Sequence, residues 1–332
     1  MGKILISGGA GFIGFHLADR LSKSLSNEIL LLDNFSRGRL DNDLRLLLQR
    51  SNIKLRSADL TNPATYQSLD KDFDEIYHLG AVIGVKNVLG NPTEVVRVNA
   101  LATLHMLDWF CKCENGKLLF SSTSETYAWT QHILELPFPT PEKIPLALTD
   151  LENPRSSYAG SKIFGELAVI QYCRFFNRPF VILRYHNVYG PRMGREHVIP
   201  ELFQRAVVEG QDPLVVYSAD HSRAFCYVSD AVDGTISAMR TRQADDKTIN
   251  IGNNSEEVSI LELAKRILKA LRPGARIQVK PACNDPIKRR CPDTLTAKNL
   301  LNYHPKVCLE DGLKLTLAWY GANLDKNSFD LR

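Results

Sequence analysis

The chain has 332 residues, of which 44% are hydrophobic and 23% are charged, and its formal net charge is +4. This length and composition allow one large core and a second lobe. The small charge excludes nucleic acid and a membrane surface as expected partners and mildly favours anionic small molecules.

Residues 3–14 begin with an apolar run, continue through a glycine-rich turn and open an amphipathic helix at Phe12. This order predicts a strand, a turn and a helix. Gly8 permits the tight turn, Gly11 lets a pyrophosphate approach the backbone, and Gly14 lets the helix pack close to the strand. The helix N-terminus offers unpaired N–H groups to the phosphates. The stretch therefore predicts a dinucleotide site.

A second apolar strand, residues 28–32, is followed by Asp33. An acid roughly 20 residues beyond the glycines can hold the adenine ribose hydroxyls. A carboxylate there repels a 2′-phosphate, which favours NAD over NADP. Arg37 leaves NADP open, because a nearby arginine can pair with that phosphate.

Strands and helices alternate through the next 150 or so residues. Further strands are predicted over 53–59, 74–81, 117–120 and 180–185, with helices near 41–50, 92–113 and 156–174. Alternation of this kind predicts an α/β fold with a Rossmann-type doubly wound parallel sheet. Ligands in such sheets bind at the carboxyl ends of the strands, where polar clusters follow each predicted strand.

Residues 129–154 interrupt this rhythm with five prolines, and we expect an irregular loop over the site. The pattern is less regular beyond Pro191, where a smaller C-terminal α/β substrate lobe is expected. Beyond Pro191, helices are predicted near 198–209, from 229, near 259–271 and near 310–322, with strands at 214–217, 248–251 and 277–280.

Tyr158 and Lys162 lie four residues apart and therefore on one face of a predicted helix. A phenol with a pKa of about 10 is a poor base at neutral pH. A neighbouring ammonium and a positively charged nicotinamide ring lower that pKa. The phenolate can then take a proton from a sugar hydroxyl while hydride leaves for NAD.

Four motifs together identify a family: the turn from Gly8 to Gly14, His78 to Ala81, Tyr158 to Lys162, and Arg184 to Arg192. They resemble the extended short-chain dehydrogenases and, more narrowly, the NAD-dependent nucleotide-sugar epimerase/dehydratase family. The resemblance covers nearly the whole chain. It implies a tightly held NAD that oxidises a nucleotide-diphosphate sugar, usually at C4, and a homodimer formed through the helices near 92–113 and 156–174.

The resemblance also assigns site residues. The implied cofactor contacts are Gly8, Gly11, Phe12, Ile13, Gly14, Asp33, Asn34, Ser36, Arg37, Asp59, Leu60, Leu79, Ala81, Tyr158 and Lys162. The implied catalytic residues are Thr123, Glu125, Tyr158 and Lys162. The implied substrate contacts are Ser124, His186, Asn187, Arg223 and Arg290, with the two arginines on the nucleotide diphosphate. A fork-shaped guanidinium suits that role.

The run from Ser122 to Glu125 resembles the GDP-mannose 4,6-dehydratases and the UDP-glucuronate decarboxylases. Simple 4-epimerases similar to this chain usually have small residues after the hydroxyl. Glu125 therefore favours dehydration or decarboxylation through a 4-keto-hexose. Two alternatives stay open: a UDP-sugar 4-epimerase in which Glu125 is not catalytic, and a catalytically silent NAD(H)-binding regulator.

Three features depart from the family pattern: His186 replaces a common Phe, Ala128 replaces a Gly, and the proline-rich insert is long. No signal peptide is expected, because the first strand begins at residue 3, and no apolar run is long enough to cross a bilayer. These two observations predict a cytoplasmic enzyme. The predicted domains are an NAD-binding unit at 1–185 joined by 225–252, a nucleotide-sugar lobe at 186–224 and 253–322, and a tail at 323–332.

Overall fold

The structure, a computed structural model, describes residues 2–281 and 287–323. The strands of its central sheet are β1 Gly2–Ser7, β2 Asn27–Asp33, β3 Ile53–Ser57, β4 Glu75–His78, β5 Lys117–Thr123, β6 Phe180–Tyr185 and β11 Lys247–Ile251. All neighbours pair in parallel, in the order β11-β6-β5-β4-β1-β2-β3. The strand order reverses between β1 and β4, which opens a crevice at their carboxyl ends. The predicted doubly wound sheet is confirmed.

Helices cover both faces of this sheet, and others pack around the short strands in the C-terminal part of the chain. Their bounds are α1 Phe12–Leu21, α2 Asn42–Leu47, α3 Pro63–Gln67, α4 Val85–Gly90, α5 Pro92–Phe110, α6 Ser156–Phe175, α7 Val198–Phe203, α8 Val228–Arg240, α9 Ile260–Leu271, α10 Leu295–Leu301 and α11 Leu309–Ala322. In α5, Pro92 supplies the first turn and the Asn91 side chain accepts the Glu94 N–H. None of the described helices is long and apolar enough to cross a bilayer.

Short strands complete the second lobe. They are β7 Val188–Tyr189, β8 Leu214–Tyr217, β9 Ser222–Ala224, β10 Cys226–Tyr227, β12 Glu257–Ser259, β13 Ile277–Lys280 and β14 Arg289–Arg290. They form three small sheets: β10-β7, β13-β8 and β12-β9-β14. The last of these carries an arginine from β9 and another from β14 to the edge of the central sheet.

Several elements differ from the sequence prediction. The short helices α3, α4 and α10 were not anticipated, because segments this short show little periodicity. The helix expected near 198–209 is α7 followed by a π-helical turn, Gln204–Val208. Of the predicted tail, Asn323 is described, and the remainder, 324–332, lies outside the described residues.

The predicted position of the 129–154 loop is wrong, because none of its described residues lines the central cavity. The loop packs instead on the outer side of the segment that carries β14. The Thr140 N–H donates to the Cys291 carbonyl, and the Asp293 N–H donates to the Thr140 carbonyl. The Glu142 carboxylate accepts the Asn250 N–H. These bonds attach the loop to β11 and to the segment after β14, and the loop does not cover the cavity.

Helix α6 packs closely on β5 at Gly165. A Cβ atom at this position would overlap the Phe120 ring, which is itself fully buried. Interiors packed to crystal density have little room for an added methyl group. Gly165 therefore sets the distance between α6 and β5.

Gly165→Ala should lower the free energy of unfolding by about 1–3 kcal/mol, because α6 has to move away from β5. Denaturant unfolding measures this change. Gly90→Ala is the matched control, since nothing lies within 4 Å of a Cβ at that helical position. Equal stability of the two variants would contradict the proposed close packing.

Candidate active site

A cavity of about 1910 Å³ lies at the carboxyl ends of the central strands. It contains every residue that the sequence predicts as a cofactor contact: Gly8, Gly11, Phe12, Ile13, Gly14, Asp33, Asn34, Ser36, Arg37, Asp59, Leu60, Leu79, Ala81, Tyr158 and Lys162. The predicted Thr123, Ser124, Glu125, Asn187, Arg223 and Arg290 also line it. The fold therefore brings residues from both halves of the chain to one cavity.

The glycine-rich turn forms a cradle that side chains would fill. Gly8 has a φ of +72°, and a Cβ there would lie 2.8 Å from the Gly80 nitrogen. A Cβ on Gly14 would overlap the Gly8 carbonyl. Backbone N–H groups at the start of α1 face the same space, which fits the pyrophosphate of a dinucleotide.

Asp33 lies beside the glycine-rich turn. Its Oδ2 accepts the Ala10 N–H at 3.0 Å and its Oδ1 accepts the Phe35 N–H at 2.8 Å. Burial raises the pKa of this carboxyl, and both N–H groups and the charge of Arg192 oppose the rise. Each oxygen keeps a second lone pair for ribose hydroxyls in the cavity.

The sequence left NADP possible because Arg37 could pair with a 2′-phosphate. In the structure the charge that faces Arg37 is that of Glu196. A Cβ on Gly194 would lie 2.8 Å from an Arg37 Nη atom. Burial lowers the pKa of this guanidinium, and the Glu196 carboxylate opposes the change. Arg37 therefore lies close to the loop after β7, and its buried Nη1 has no hydrogen-bond partner in the described part of the chain, while Asp33 at the end of β2 lines the same cavity.

Tyr158 and Thr123 both line the cavity, and the Thr123 hydroxyl lies close enough to the Tyr158 phenol to lower its pKa. Burial raises the pKa of Tyr158 to about 12, and the Glu125 carboxylate adds to the rise. Thr123, Arg37 and Arg290 oppose it. In the protein alone the direction is thus opposite to the one predicted, because desolvation outweighs the nearby positive charges.

Lys162 lies one turn beyond Tyr158 on α6. Its Nζ donates to the Ser121 carbonyl at 2.8 Å and lies 5.0 Å from the centre of the Phe120 ring. Burial lowers the pKa of this lysine to about 8, and Glu166 opposes the change. Lys162 therefore bonds to β5 rather than to the phenol.

Glu125 and Arg290 form an ion pair across the cavity wall. Arg290 Nη1 lies 2.5 Å from Glu125 Oε1. Glu125 follows β5 in a 3₁₀ turn, Ser124–Tyr127, whereas Arg290 belongs to β14. The sequence predicted Arg290 on the diphosphate, but the structure places its guanidinium on Glu125, within electrostatic range of Tyr158.

Two other predicted substrate contacts have different surroundings. Arg223 Nη1 donates to the Lys288 carbonyl and Nη2 donates to the Ile287 carbonyl, so it fixes the backbone that precedes β14. Asn187 has a φ of +39°. Its Oδ1 is buried and has no hydrogen-bond partner in the described part of the chain, which suits a ligand contact.

His186, predicted to contact substrate, is not among the described residues that line the cavity. It is buried behind the wall, where its Nε2 lies 3.1 Å from Asn250 Oδ1 and its ring lies 5.8 Å from that of Tyr127. An amide oxygen can only accept, so Nε2 carries the proton. Burial lowers the pKa of this imidazole to about 3. His186 is therefore a neutral packing residue.

Sequence reasoning missed a buried polar cluster beneath the site. Glu166 on α6 and Arg184 on β6 form an ion pair there. The available signal was the arginine itself, because a charged residue inside the apolar strand Phe180–Tyr185 requires a buried partner.

Comparisons with known proteins agree with this geometry. The sequence model of the NAD-dependent epimerase/dehydratase family matches residues 4–252. UDP-glucuronic acid decarboxylase 5 of Arabidopsis thaliana is 34% identical over 319 residues, which cover 94% of this chain and 87% of the relative. UDP-N-acetyl-alpha-D-glucosaminuronate decarboxylase of Bacillus cytotoxicus is 33% identical over 327 residues, covering 96% and 97%.

Solved structures give the same picture. The UDP-glucuronic acid 4-epimerase from Bacillus cereus, solved with UDP-glucuronic acid and NAD, superimposes with a TM-score of 0.84 at 28% identity. The match covers 97% of this chain and 99% of that protein. The likeness therefore extends over both lobes.

Gly8→Ala should weaken NAD binding by at least about tenfold, because its Cβ would displace the Gly80 backbone and distort the cradle. Isothermal titration with NAD measures the loss. Gly210→Ala is the matched control, since Gly210 also has a positive φ, +63°, but nothing within 4 Å of a Cβ. If both variants bind NAD like the parent, the cradle is not the dinucleotide site.

Proposed function

Because this chain belongs to the NAD-dependent epimerase/dehydratase family, we propose that it decarboxylates a UDP-linked hexuronic acid. It is an enzyme of nucleotide-sugar metabolism, and its cofactor is NAD. The observation that carries the finer proposal is the ion pair between Glu125 and Arg290 beside Tyr158. The curated relatives named above are decarboxylases of UDP-linked uronic acids, which supports the same reading.

The first step needs a base at the C4 hydroxyl. Tyr158 takes that proton in our proposal, and the nearby hydroxyl of Thr123 lowers the pKa of this phenol. Bound NAD would supply the acceptor for the C4 hydride and the donor that returns it. Lys162 connects α6 to the end of β5 by its bond to the Ser121 carbonyl.

Oxidation at C4 makes a carboxylate on C5 labile. The C5–C6 bond breaks, carbon dioxide leaves, and the electron pair stays on C5 until that carbon takes up a proton. Arg290 offers a guanidinium fork for the uronate carboxylate, a geometry that suits two parallel hydrogen bonds. Glu125 holds this fork in place before the substrate arrives.

The remaining predicted contacts are assigned to the rest of the substrate. Ser124, Asn187 and Arg223 line the cavity and are proposed to hold the sugar and the diphosphate. The predicted division into an NAD-binding unit and a nucleotide-sugar lobe is supported by β11, which returns to pair with β6. A cytoplasmic setting is also proposed, supported by the free thiols of Cys111, Cys113, Cys173, Cys226, Cys291 and Cys308.

The enzyme should convert UDP-glucuronate or UDP-N-acetylglucosaminuronate with loss of carbon dioxide. Mass spectrometry of the sugar product measures this loss. UDP-glucose, UDP-N-acetylglucosamine and GDP-mannose serve as the comparison substrates. Glu125→Gln should lower this turnover by on the order of 10²-fold, because Arg290 loses the negative charge that fixes its guanidinium and is misplaced relative to the uronate carboxylate. Glu257→Gln is the matched control, since Glu257 pairs with the neighbouring Arg289 outside the cavity.

The other outcomes identify the alternatives. Loss of water would indicate a dehydratase, and a product of unchanged mass that forms equally well with Glu125→Gln would indicate a 4-epimerase. The solved 4-epimerase with UDP-glucuronic acid keeps that second candidate open. No turnover of any sugar, in a protein that binds NAD, would indicate a silent regulator. Tyr158→Phe should stop every catalytic branch and retain NAD.

We also propose a homodimer through α5 and α6. Large apolar side chains on these helices are exposed to solvent: Val96, Phe164, Leu167 and Phe175. The two helices pack side by side, and we propose that these side chains form one face. A contiguous apolar face of this kind is typical of an interface between subunits.

Leu167→Glu should shift the protein from dimer to monomer in sedimentation velocity, because a carboxylate would be buried in the interface. Leu315→Glu on α11 is the matched control, since Leu315 is 54% exposed and Leu167 is 55% exposed. A parent protein that sediments as a monomer would refute the proposal.

A further inference from the structure

A charged pair that the reaction scheme does not use lies buried directly beneath the site. Arg184 Nε donates to Glu166 Oε1 at 2.8 Å, and Arg184 Nη2 donates to Glu166 Oε2 at 2.6 Å. Ser122 Oγ donates to the same Oε1 at 2.5 Å. Glu166 and Arg184 are 3% and 5% exposed, so the pair is removed from water.

Glu166 joins the two elements that carry the proposed proton-transfer residues. It lies one helical turn after Lys162 on α6, and its partner Ser122 immediately precedes Thr123 on β5. Tyr158 lies one turn before Lys162 on the same face. The carboxylate therefore fixes the rotation of α6 against the end of β5.

Arg184 extends this arrangement to the opposite wall. Its Nη1 donates to Tyr127 Oη at 2.8 Å, and Tyr127 Oη donates to Asn250 Oδ1 at 2.8 Å. Asn250 Nδ2 donates to the Asp293 carbonyl at 3.1 Å. Asp293 follows the strand that carries Arg290, so one continuous network connects α6 to both walls of the site.

We propose that Glu166 and Arg184 are positioning residues that fix Lys162, Thr123 and Arg290 in their working arrangement. The proposal rests on the roles of Tyr158 and Lys162 in oxidation at C4. Decarboxylation, dehydration and 4-epimerisation, the catalytic alternatives above, all begin with that step, so the proposal does not depend on decarboxylation.

The charges around Lys162 support this assignment. Burial lowers the pKa of Lys162 to about 8, and the Glu166 carboxylate is the charge that opposes the change. His78 on β4 also faces this lysine, and burial lowers its pKa to about 3, so it stays neutral. From β5 the facing groups are the neutral Ser121 carbonyl and the Phe120 ring. Glu166 therefore helps to keep Lys162 charged at neutral pH.

Lys162 carries its charge below its pKa and loses it as the pH rises through that value. Without Glu166 the pKa of Lys162 should fall further, and activity that needs the ammonium should be lost at a lower pH. A purely structural ion pair would leave this titration unchanged.

A charge-neutral exchange separates positioning from stability. Replacing a buried ion pair by apolar residues of similar size is often neutral for folding, whereas removing one partner leaves an unpaired buried charge. The test variant is Glu166→Leu with Arg184→Met. Its matched control is Asp245→Leu with Lys117→Met, an ion pair at the opposite end of β5.

The test variant should bind NAD and unfold near the parent's temperature. Its kcat for the preferred UDP-sugar should fall by on the order of tenfold with little change in KM. The alkaline limb of its pH profile should move to lower pH by on the order of one unit. Magnetic resonance of isotope-labelled lysine in the cofactor-free protein should show Lys162 titrating at a correspondingly lower pH.

An unchanged Lys162 titration and an unchanged pH profile in the test variant would overturn the proposal. If that variant does not fold, the Lys162 titration and the pH profile of Glu166→Gln replace its measurements. An unchanged Lys162 titration in Glu166→Gln would likewise overturn the proposal. A parent protein that fails to release carbon dioxide would refute the proposed function alone, because the lysine titration needs no substrate.

Discussion

The contact between α6 and β5 is the interaction on which the site depends. Gly165 allows the helix to lie against Phe120, and at this distance three residues of the helix, one turn apart, reach the end of the strand. Lys162 bonds to the Ser121 carbonyl and Glu166 to Ser122, and Tyr158 lies beside Thr123. A helix displaced by the width of one methyl group would lose these short polar bonds, because each requires about 3 Å between heavy atoms.

The same close contact determines the electrostatics of the site. Burial raises the pKa of Tyr158 and lowers that of Lys162, so desolvation disfavours the charged form of both groups. The compensating charges come from outside the pair, with Arg37 and Arg290 acting on the phenol and Glu166 on the ammonium. The proton-transfer residues are thus tuned by side chains that a search for a Tyr and a Lys four residues apart would not include.

The fold could be predicted from the sequence because its signals are local. The apolar runs mark parallel strands buried on both faces, and the glycines at 8, 11 and 14 mark the turn. The positions of the 129–154 loop and of His186 could not be predicted, since both are fixed by bonds to Asn250 and to the segment around Cys291, far away in sequence. The roles given to individual site residues stay predictions.

Two parts of the chain contribute to the proposed chemistry. Thr123, Tyr158 and Lys162 come from the central sheet and its helix, and oxidation at C4 is the step proposed for them. Arg290 comes from β14 and pairs with Glu125 just beyond the end of β5. The proposed step at C5 is therefore assigned to the boundary between these two parts. Since the Asn250 bonds connect that boundary to the pair beneath α6, the two parts of the site are held by one buried network.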